Sequence, residues 1–253
     1  MSWCDKLAST AGVGFRLNHH FVPAETMLHA LAPILDPLVK NGQPDFVLER
    51  LESYNLVVTT NDGFRYGAEP SKVNVTFNHR LRAKQVSGGL PQMEMLSSAM
   101  PFTKLLPEVS NKLIEATLLL GNSKSREVNR IGIISSTAVA DEEMPPGIRR
   151  FIDYIRRPWQ GQSDFFSIQI VSQLDENTAW TDRCIHTVTK AEENPDALVN
   201  INLDWQRTYT KGVSIQRDAI SEIVKKAEKP AIDYFETVAE GSMFDEELIR
   251  AAT

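Results

Sequence analysis

Apolar and polar residues alternate with two different periods along this chain, and the period changes mark the elements. In 12–21, "GVGFRLNHHF", the pattern predicts a strand that enters a helix at "PAETMLHALAPILDPLVKN", where Met27, Leu28, Leu31 and Leu35 keep helical spacing. Pro33 and Pro37 each remove a backbone donor, so this helix is expected to be kinked or split, with Asn41-Gly42 as its stop. Beyond it, "NLVVTTNDGFRYGAEPSKVNVTFNHRLRAK" reads as two β-like runs. The Asn61-Asp62-Gly63 segment supplies residues that tolerate the positive φ of a tight hairpin turn. The second arm places Val73, Val75, Phe77, His79, Leu81 and Ala83 on one face. Asn74, Thr76, Asn78, Arg80, Arg82 and Lys84 fall on the other, a half-buried strand with a basic outer edge.

A loop with one helical turn is expected over 86–101. A helix follows in "TKLLPEVSNKLIEATLLLGN", with Leu106, Val109, Leu113 and Leu118 on its apolar face and Gly121-Asn122 as its stop. Then come a strand, "VNRIGIISSTAVA", an acidic turn, "DEEMPPG", a helix at 148–157, and three strands in "DFFSIQIVSQL", "TDRCIHTVTKA" and "ALVNINLDWQR". A last helix is predicted from Val213 to Glu240. Its apolar positions Ile220, Val224, Ala227, Ala231, Tyr234 and Val238 alternate spacings of four and three, and Pro230 sits inside it.

Both halves run strand, helix, antiparallel strands, helix. The expected fold is therefore α+β: two antiparallel-sheet units, residues 1–122 and 123–253, each with helices packed on one face. The shared order is what a duplicated unit would produce, although residue identity between the halves is too low to show it.

Charge modifies this picture. The net charge is −6, yet residues 1–126 carry 13 Lys+Arg against 11 Asp+Glu, and residues 127–253 carry 14 against 22. An acidic second half repels phosphates at long range, so any contact with nucleic acid must be made by local basic patches. The two cysteines, Cys4 and Cys184, are far apart and form neither a disulfide framework nor a C-x-x-C motif. The N-terminus has no apolar signal region and no apolar run approaches the ~20 residues of a membrane span, so a cytoplasmic protein without membrane contact is expected.

Three segments, "PFTKLLPEVSNKLIEATLLL", "VNRIGI" and "AIDYFETVAEG", resemble a sporadically distributed, uncharacterised prokaryotic family of about this length. In that family a Pro-Phe-Thr segment opens a helix, an Arg-Ile-Gly strand follows, and a closing helix bears a Phe-Glu pair, matched here by Phe235-Glu236. The likeness covers mainly residues 100–240. It implies no established activity and transfers no catalytic residue, but patchy occurrence implies laterally transferred loci, including those that carry phage-defence or mobile-element genes.

The chain has no G-x-x-x-x-G-K-[ST], no G-x-G-x-x-G after a strand, no G-x-S-x-G and no H-E-x-x-H. Asp45 precedes only "LER" and Asp196 only "DWQR", so the acidic pattern of a metal-dependent nuclease is incomplete. Cys184 and His186, two apart on one strand face beside Asp182, could pair a thiol with a base, but that spacing is long for proton transfer. His19 and His20 would point oppositely on a strand, and Asp141, Glu142 and Glu143 read as a solvated turn at a helix N-terminus as readily as a cation site. No catalytic residue, metal or cofactor is therefore assigned.

The segment "IRRFIDYIRRPWQG" remains. Ile148, Phe151, Ile152 and Ile155 form one apolar stripe, leaving Arg149, Arg150, Arg156 and Arg157 around Asp153 on the other side, with Trp159 just beyond Pro158. One carboxylate cannot neutralise four guanidinium groups, and this side reads either as a solvated helix face, its cations favoured by the helix C-terminus before Pro158, or as a partner-binding face. The expected function is a non-catalytic binding or accessory subunit of a prokaryotic complex from a defence or mobile-element locus. Its partner would be a protein encoded in the same locus, with local nucleic-acid contact, and Arg80, Arg82, Lys84, Arg149, Arg150, Arg156, Arg157 and Trp159 are the candidate partner-binding residues. The alternative is an enzyme acting on nucleic acid or nucleotides.

Overall fold

The computed structural model describes residues 10–78, 81–84, 92–95, 100–121, 126–156, 166–190 and 198–241. The chain order is β1 (Thr10–Leu17), α1 (Ala24–Ala30), α2 (Ala32–Leu35), β2 (Val39–Lys40), β3 (Gln43–Pro44), β4 (Phe46–Glu52), β5 (Asn55–Thr60), β6 (Phe64–Glu69), β7 (Lys72–Asn78), β8 (Leu81–Lys84), β9 (Gln92–Met95) and α3 (Phe102–Leu120). Then follow β10 (Glu127–Val139), α4 (Pro146–Arg156), β11 (Phe166–Glu176), β12 (Trp180–Lys190), β13 (Val199–Ser214) and α5 (Arg217–Glu240). Nine strands form one antiparallel sheet in the order β11-β12-β13-β10-β1-β7-β6-β5-β4. The α+β class and the antiparallel pairing agree with the sequence. The two halves nevertheless share a single sheet, because β1 pairs with β10 along almost its whole length, from Thr10 opposite Ser136 to Leu17 opposite Val128.

Alternation makes this sheet one-sided. Ala11, Val13, Phe15 and Leu17 of β1, Val73, Val75 and Phe77 of β7, Ile131 and Ile133 of β10, and Ile201, Leu203 and Trp205 of β13 are buried. The helices α3 and α5 cover that face and meet through Phe102 and Phe235, whose rings lie edge to face with centroids 6.1 Å apart. Both rings are fully buried, worth roughly 1.5–3 kcal/mol each in removed apolar surface. Pro230 sits inside α5 between Ala227 and Ala231, which are fully buried. Burial of that face offsets the ~3 kcal/mol that an interior proline costs. At the other end Gly147 of α4 lies against Gly241, the left-handed cap of α5 with φ +83°. A Cβ on Gly147 would come within 2.2 Å of the Val238 carbonyl oxygen.

Several boundaries differ from the sequence reading, each for a local reason. The proline-rich helix is split at Leu31 and ends by Leu38. Asn41 and Gly42, with φ 53° and 74°, then make the tight turn between β2 and β3 rather than the helix stop. The hairpin over Asn61-Asp62-Gly63 is present, but only Gly63 takes positive φ. Thr60 ties the turn through its hydroxyl to Asp62 and to the Phe64 carbonyl. The two β-like runs are three strands, β5, β6 and β7, and 81–84 belongs to a separate two-stranded sheet with β9 rather than to β7. The strand at 92–95 occupies part of the expected loop. The last strand continues to Ser214, so α5 begins at Arg217 and not at Val213.

Candidate anion-binding trough on the uncovered sheet face

No described helix packs on the second face of the sheet. Its centre is a trough of about 360 Å³, and cross-strand register explains it row by row. One row reads Asn74, Gly14, Gly132, Gln206, Arg183 from β7 to β12. Gly14 and Gly132 have no side chain, so the middle of this row is low. Asn74 leans across Gly14 and over Gly67 on β6, where added Cβ atoms would lie 3.1 Å from its Cβ and 2.6 Å from its Oδ1 respectively. Gly132 is different: a Cβ there would meet nothing nearer than Asp204 Oδ1 at 3.5 Å, an ordinary contact, so a side chain could stand at Gly132 without a clash.

The next row is cationic. Lys72, Arg16 and Arg130 stand directly opposite one another on β7, β1 and β10, with Glu69 of β6 opposite Lys72 at the outer end. Like charges in such positions destabilise a sheet. Lys72 and Arg16 are exposed, whereas Arg130 is half-buried. Burial, then the charges of Arg16 and Arg183, hold the Arg130 guanidinium below its ordinary pKa. On the opposite side of the glycine row, Thr76, Gly12, Ile134 and Asp204 complete the trough.

A hydrogen-bonded chain stiffens one wall. Arg130 Nη1 and Arg183 Nε donate to the same Gln206 Oε1 at 3.0 and 2.9 Å, and Gln206 Nε2 donates to Asp204 Oδ2 at 2.6 Å. Gln206 is buried. Burial raises the Asp204 carboxyl above the usual carboxylate range, against the opposing influence of Gln206, Arg130, Arg183 and Lys72. Two guanidinium groups are thereby fixed side by side, each with N–H groups left over. That arrangement suits a multidentate oxyanion.

The residues singled out from sequence are distributed differently. Arg149 and Arg150 lie exposed on α4, whose stripe of Ile148, Phe151 and Ile152 packs inward as expected. Arg156 closes α4 and Arg82 and Lys84 lie in β8, but their side chains, like residues Arg80, Arg157 and Trp159, lie outside the described residues. The structure therefore does not bring these candidates into one described surface.

The Cys184 and His186 pairing does not form a catalytic pair. Both side chains face the helices and are buried. Burial pushes the thiol up, and it pulls the imidazole down to about 4 while Nε2 is engaged with the Tyr234 hydroxyl at 2.9 Å. Asp182 is committed to Arg207, which donates Nε and Nη2 to its two carboxylate oxygens at 2.7 Å and lies 3.9 Å from the Trp180 ring centroid. His19 and His20 are exposed outside any strand. Among the described residues no three His, Cys, Asp or Glu side chains come together as a metal site, and no helix is long and apolar enough to cross a membrane.

Arg16, Lys72, Arg130, Arg183, Asp204 and Gln206 were missed because a strand's exposed face has no motif. Their signal was the alternation itself: glycine or polar residues at 12, 14, 16, 132 and 204, each between apolar neighbours.

No protein-family model matches the chain, and no curated protein does. Among solved structures, the chain is similar to the rolling circle replication initiator protein from Geobacillus stearothermophilus, at 10% identity and a TM-score of 0.24. That match covers 87% of this chain and 78% of the other. A likeness of that size carries no argument about fold or function.

Proposed function

We propose that this protein is a non-catalytic binding subunit of a prokaryotic complex, which holds a nucleic-acid partner locally through the uncovered face of its sheet. The observation that carries this reading is the cross-strand row Lys72, Arg16, Arg130 in a chain of net charge −6. Glu69 stands opposite only the outermost of the three, Lys72, so the row keeps an excess of positive charge that a bound anion would offset. Resemblance to the sporadically distributed prokaryotic family supports a laterally transferred locus, with defence or mobile-element function, and a protein partner encoded beside it. Arg149 and Arg150, exposed on α4, are the surface for that protein partner. The repeated order of elements supports descent from a duplicated unit, with 1–122 and 123–253 as its copies.

Fluorescence anisotropy with a short single-stranded oligonucleotide tests the reading. The Arg16→Glu, Lys72→Glu protein should bind about tenfold more weakly or worse and show a shallower salt dependence. Equal binding by the folded variant removes this face from the proposal.

One observation favours a second reading, an enzyme acting on nucleic acid or nucleotides. Asp204 is a carboxyl held above its ordinary range beside a cation cluster, a setting in which a carboxyl can donate a proton. Turnover of an oligonucleotide that is abolished in Asp204→Asn would select it.

A further inference from the structure

The cations of the trough are concentrated, whereas the described charges elsewhere on the face are ion pairs toward one edge and the carboxylates Glu69 and Glu176. Toward one edge, the same face of β11, β12 and β13 presents Ser167, Gln169, Thr187, Thr189, Asn200 and Asn202, all neutral, with the apolar Val171 and Ile185 between them and Arg183. Toward the other edge the described cations Arg65 and Arg50 are ion-paired, with Glu49 at 2.9 Å and with Glu52 at 3.8 Å. Among the described residues, a nucleic-acid backbone laid across this sheet would find cations not already held in an ion pair at the trough.

Around the trough the supply is in excess of what one phosphodiester uses. Arg16, Lys72 and Arg130 line it, and Arg183 joins through the shared Gln206 carbonyl oxygen. The carboxylates nearby are Asp204, already hydrogen-bonded by Gln206, and the exposed Glu69. A volume of about 360 Å³ lies at the small end of ligand pockets, roughly 300–1,000 Å³, and so accommodates one nucleotide-sized group rather than a tract.

A phosphodiester carries a single negative charge. A phosphate monoester carries about −1.5 to −2 near pH 7 and offers three oxygens. Two guanidinium groups fixed by one carbonyl, with a third opposite Arg130, match the monoester in charge and in number of acceptors. Gly132 leaves room for the group to descend to the sheet, where a side chain would hold it off.

We infer that the trough is a seat for one terminal phosphate monoester, the end of a nucleic-acid strand or a mononucleotide, clamped by Arg130, Arg183 and Arg16, with the rest of the ligand lying over the neutral polar face of β12 and β13. Gln206 and Asp204 are positioning residues that hold the two guanidinium groups in place. This inference rests on the proposed reading of the face as a nucleic-acid contact.

The test compares two short single strands of identical sequence, one with a 5′-phosphate or 3′-phosphate and one with hydroxyl ends, with inorganic phosphate as competitor. The phosphorylated strand should bind at least about tenfold more tightly, and inorganic phosphate should displace it. Gln206→Leu should reduce that preference, with Arg183→Gln as a second variant that leaves the buried position untouched. If both strands bind equally and Arg16→Glu weakens both, the terminal seat is wrong while the nucleic-acid face stands. If neither strand binds, both fail. A preference for the phosphorylated strand that survives unchanged in folded Gln206→Leu and Arg183→Gln proteins places the seat elsewhere and overturns the inference.

Discussion

Arg16 on β1 stands directly opposite Arg130 on β10, at the seam where the two halves of the chain become one sheet. A pairing of two cations at that position opposes sheet formation, and Lys72 on the far side of Arg16 adds to it. Arg16→Gln should therefore stabilise the protein at low ionic strength by ~0.2–1 kcal/mol, the scale of a cross-strand pair, with the gain shrinking as salt screens the charges. Thermal unfolding in low and high sodium chloride measures it. Replacing chloride by phosphate at equal ionic strength should stabilise the natural protein more than the variant.

His186 couples stability to pH. Burial lowers its pKa from 6.5 to about 4, so the unfolded chain takes up a proton near pH 6.5 that the folded chain refuses until about pH 4. The neutral imidazole's contribution is complete above pH 6.5 and is lost as pH falls from there toward 4, amounting to about 3 kcal/mol over that window. Urea unfolding at a series of pH values should show this loss, and His186→Gln should remove most of the slope between pH 6.5 and 4.

Asp182 and Arg207 form a two-pronged ion pair, with both side chains more than nine-tenths buried. Removing one partner leaves the other charge in a site that water does not reach. Asp182→Ala should cost about 3–5 kcal/mol in urea unfolding. An effect below about 1 kcal/mol would mean that Arg207 is held by the Trp180 ring and the Lys226 carbonyl without need of the carboxylate.

Phe235 separates an inward-facing α5 from one used for self-association. A four-three apolar spacing suits either, and the wider apolar face made by Ile223 and Phe235 favours packing on the protein's own sheet over dimerisation. In the structure Phe235 is fully buried against Phe102. Phe235→Ala should cost about 3–5 kcal/mol with no change of mass in sedimentation. Natural thermal stability together with a concentration-dependent loss of mass would make this helix an interface.

Where a side chain's inside neighbour decides its position, the sequence was readable. The period-two runs at 73–77 and 128–137 and the period-3.6 runs at 102–117 and 220–238 each require one buried face, and each has it. Register between distant strands was not readable. Nothing local in "GVGF" or "RIGI" says that Gly14 will oppose Gly132 or that Arg16 will oppose Arg130, since that depends on how the central pair β1 and β10 align. The trough is a product of register, so it was invisible, whereas the arginine helix is a product of local composition and stood out. The Cys184, His186 and Asp182 cluster shows the same limit: the sequence places three reactive side chains on one face but does not say that it is the covered one.

The central claim is that anion binding occurs at the trough rather than through the protein's basic residues in general. Gly132→Val tests it most directly, because the substitution keeps every charge, suits a strand, and places its Cβ where only an ordinary 3.5 Å contact awaits it. Anisotropy titration of a phosphorylated single strand, alongside thermal unfolding, is the measurement. The variant should unfold near the natural temperature and bind about tenfold more weakly or worse, the trough being filled while the charge is unchanged. Natural affinity in a folded Gly132→Val protein would contradict the account.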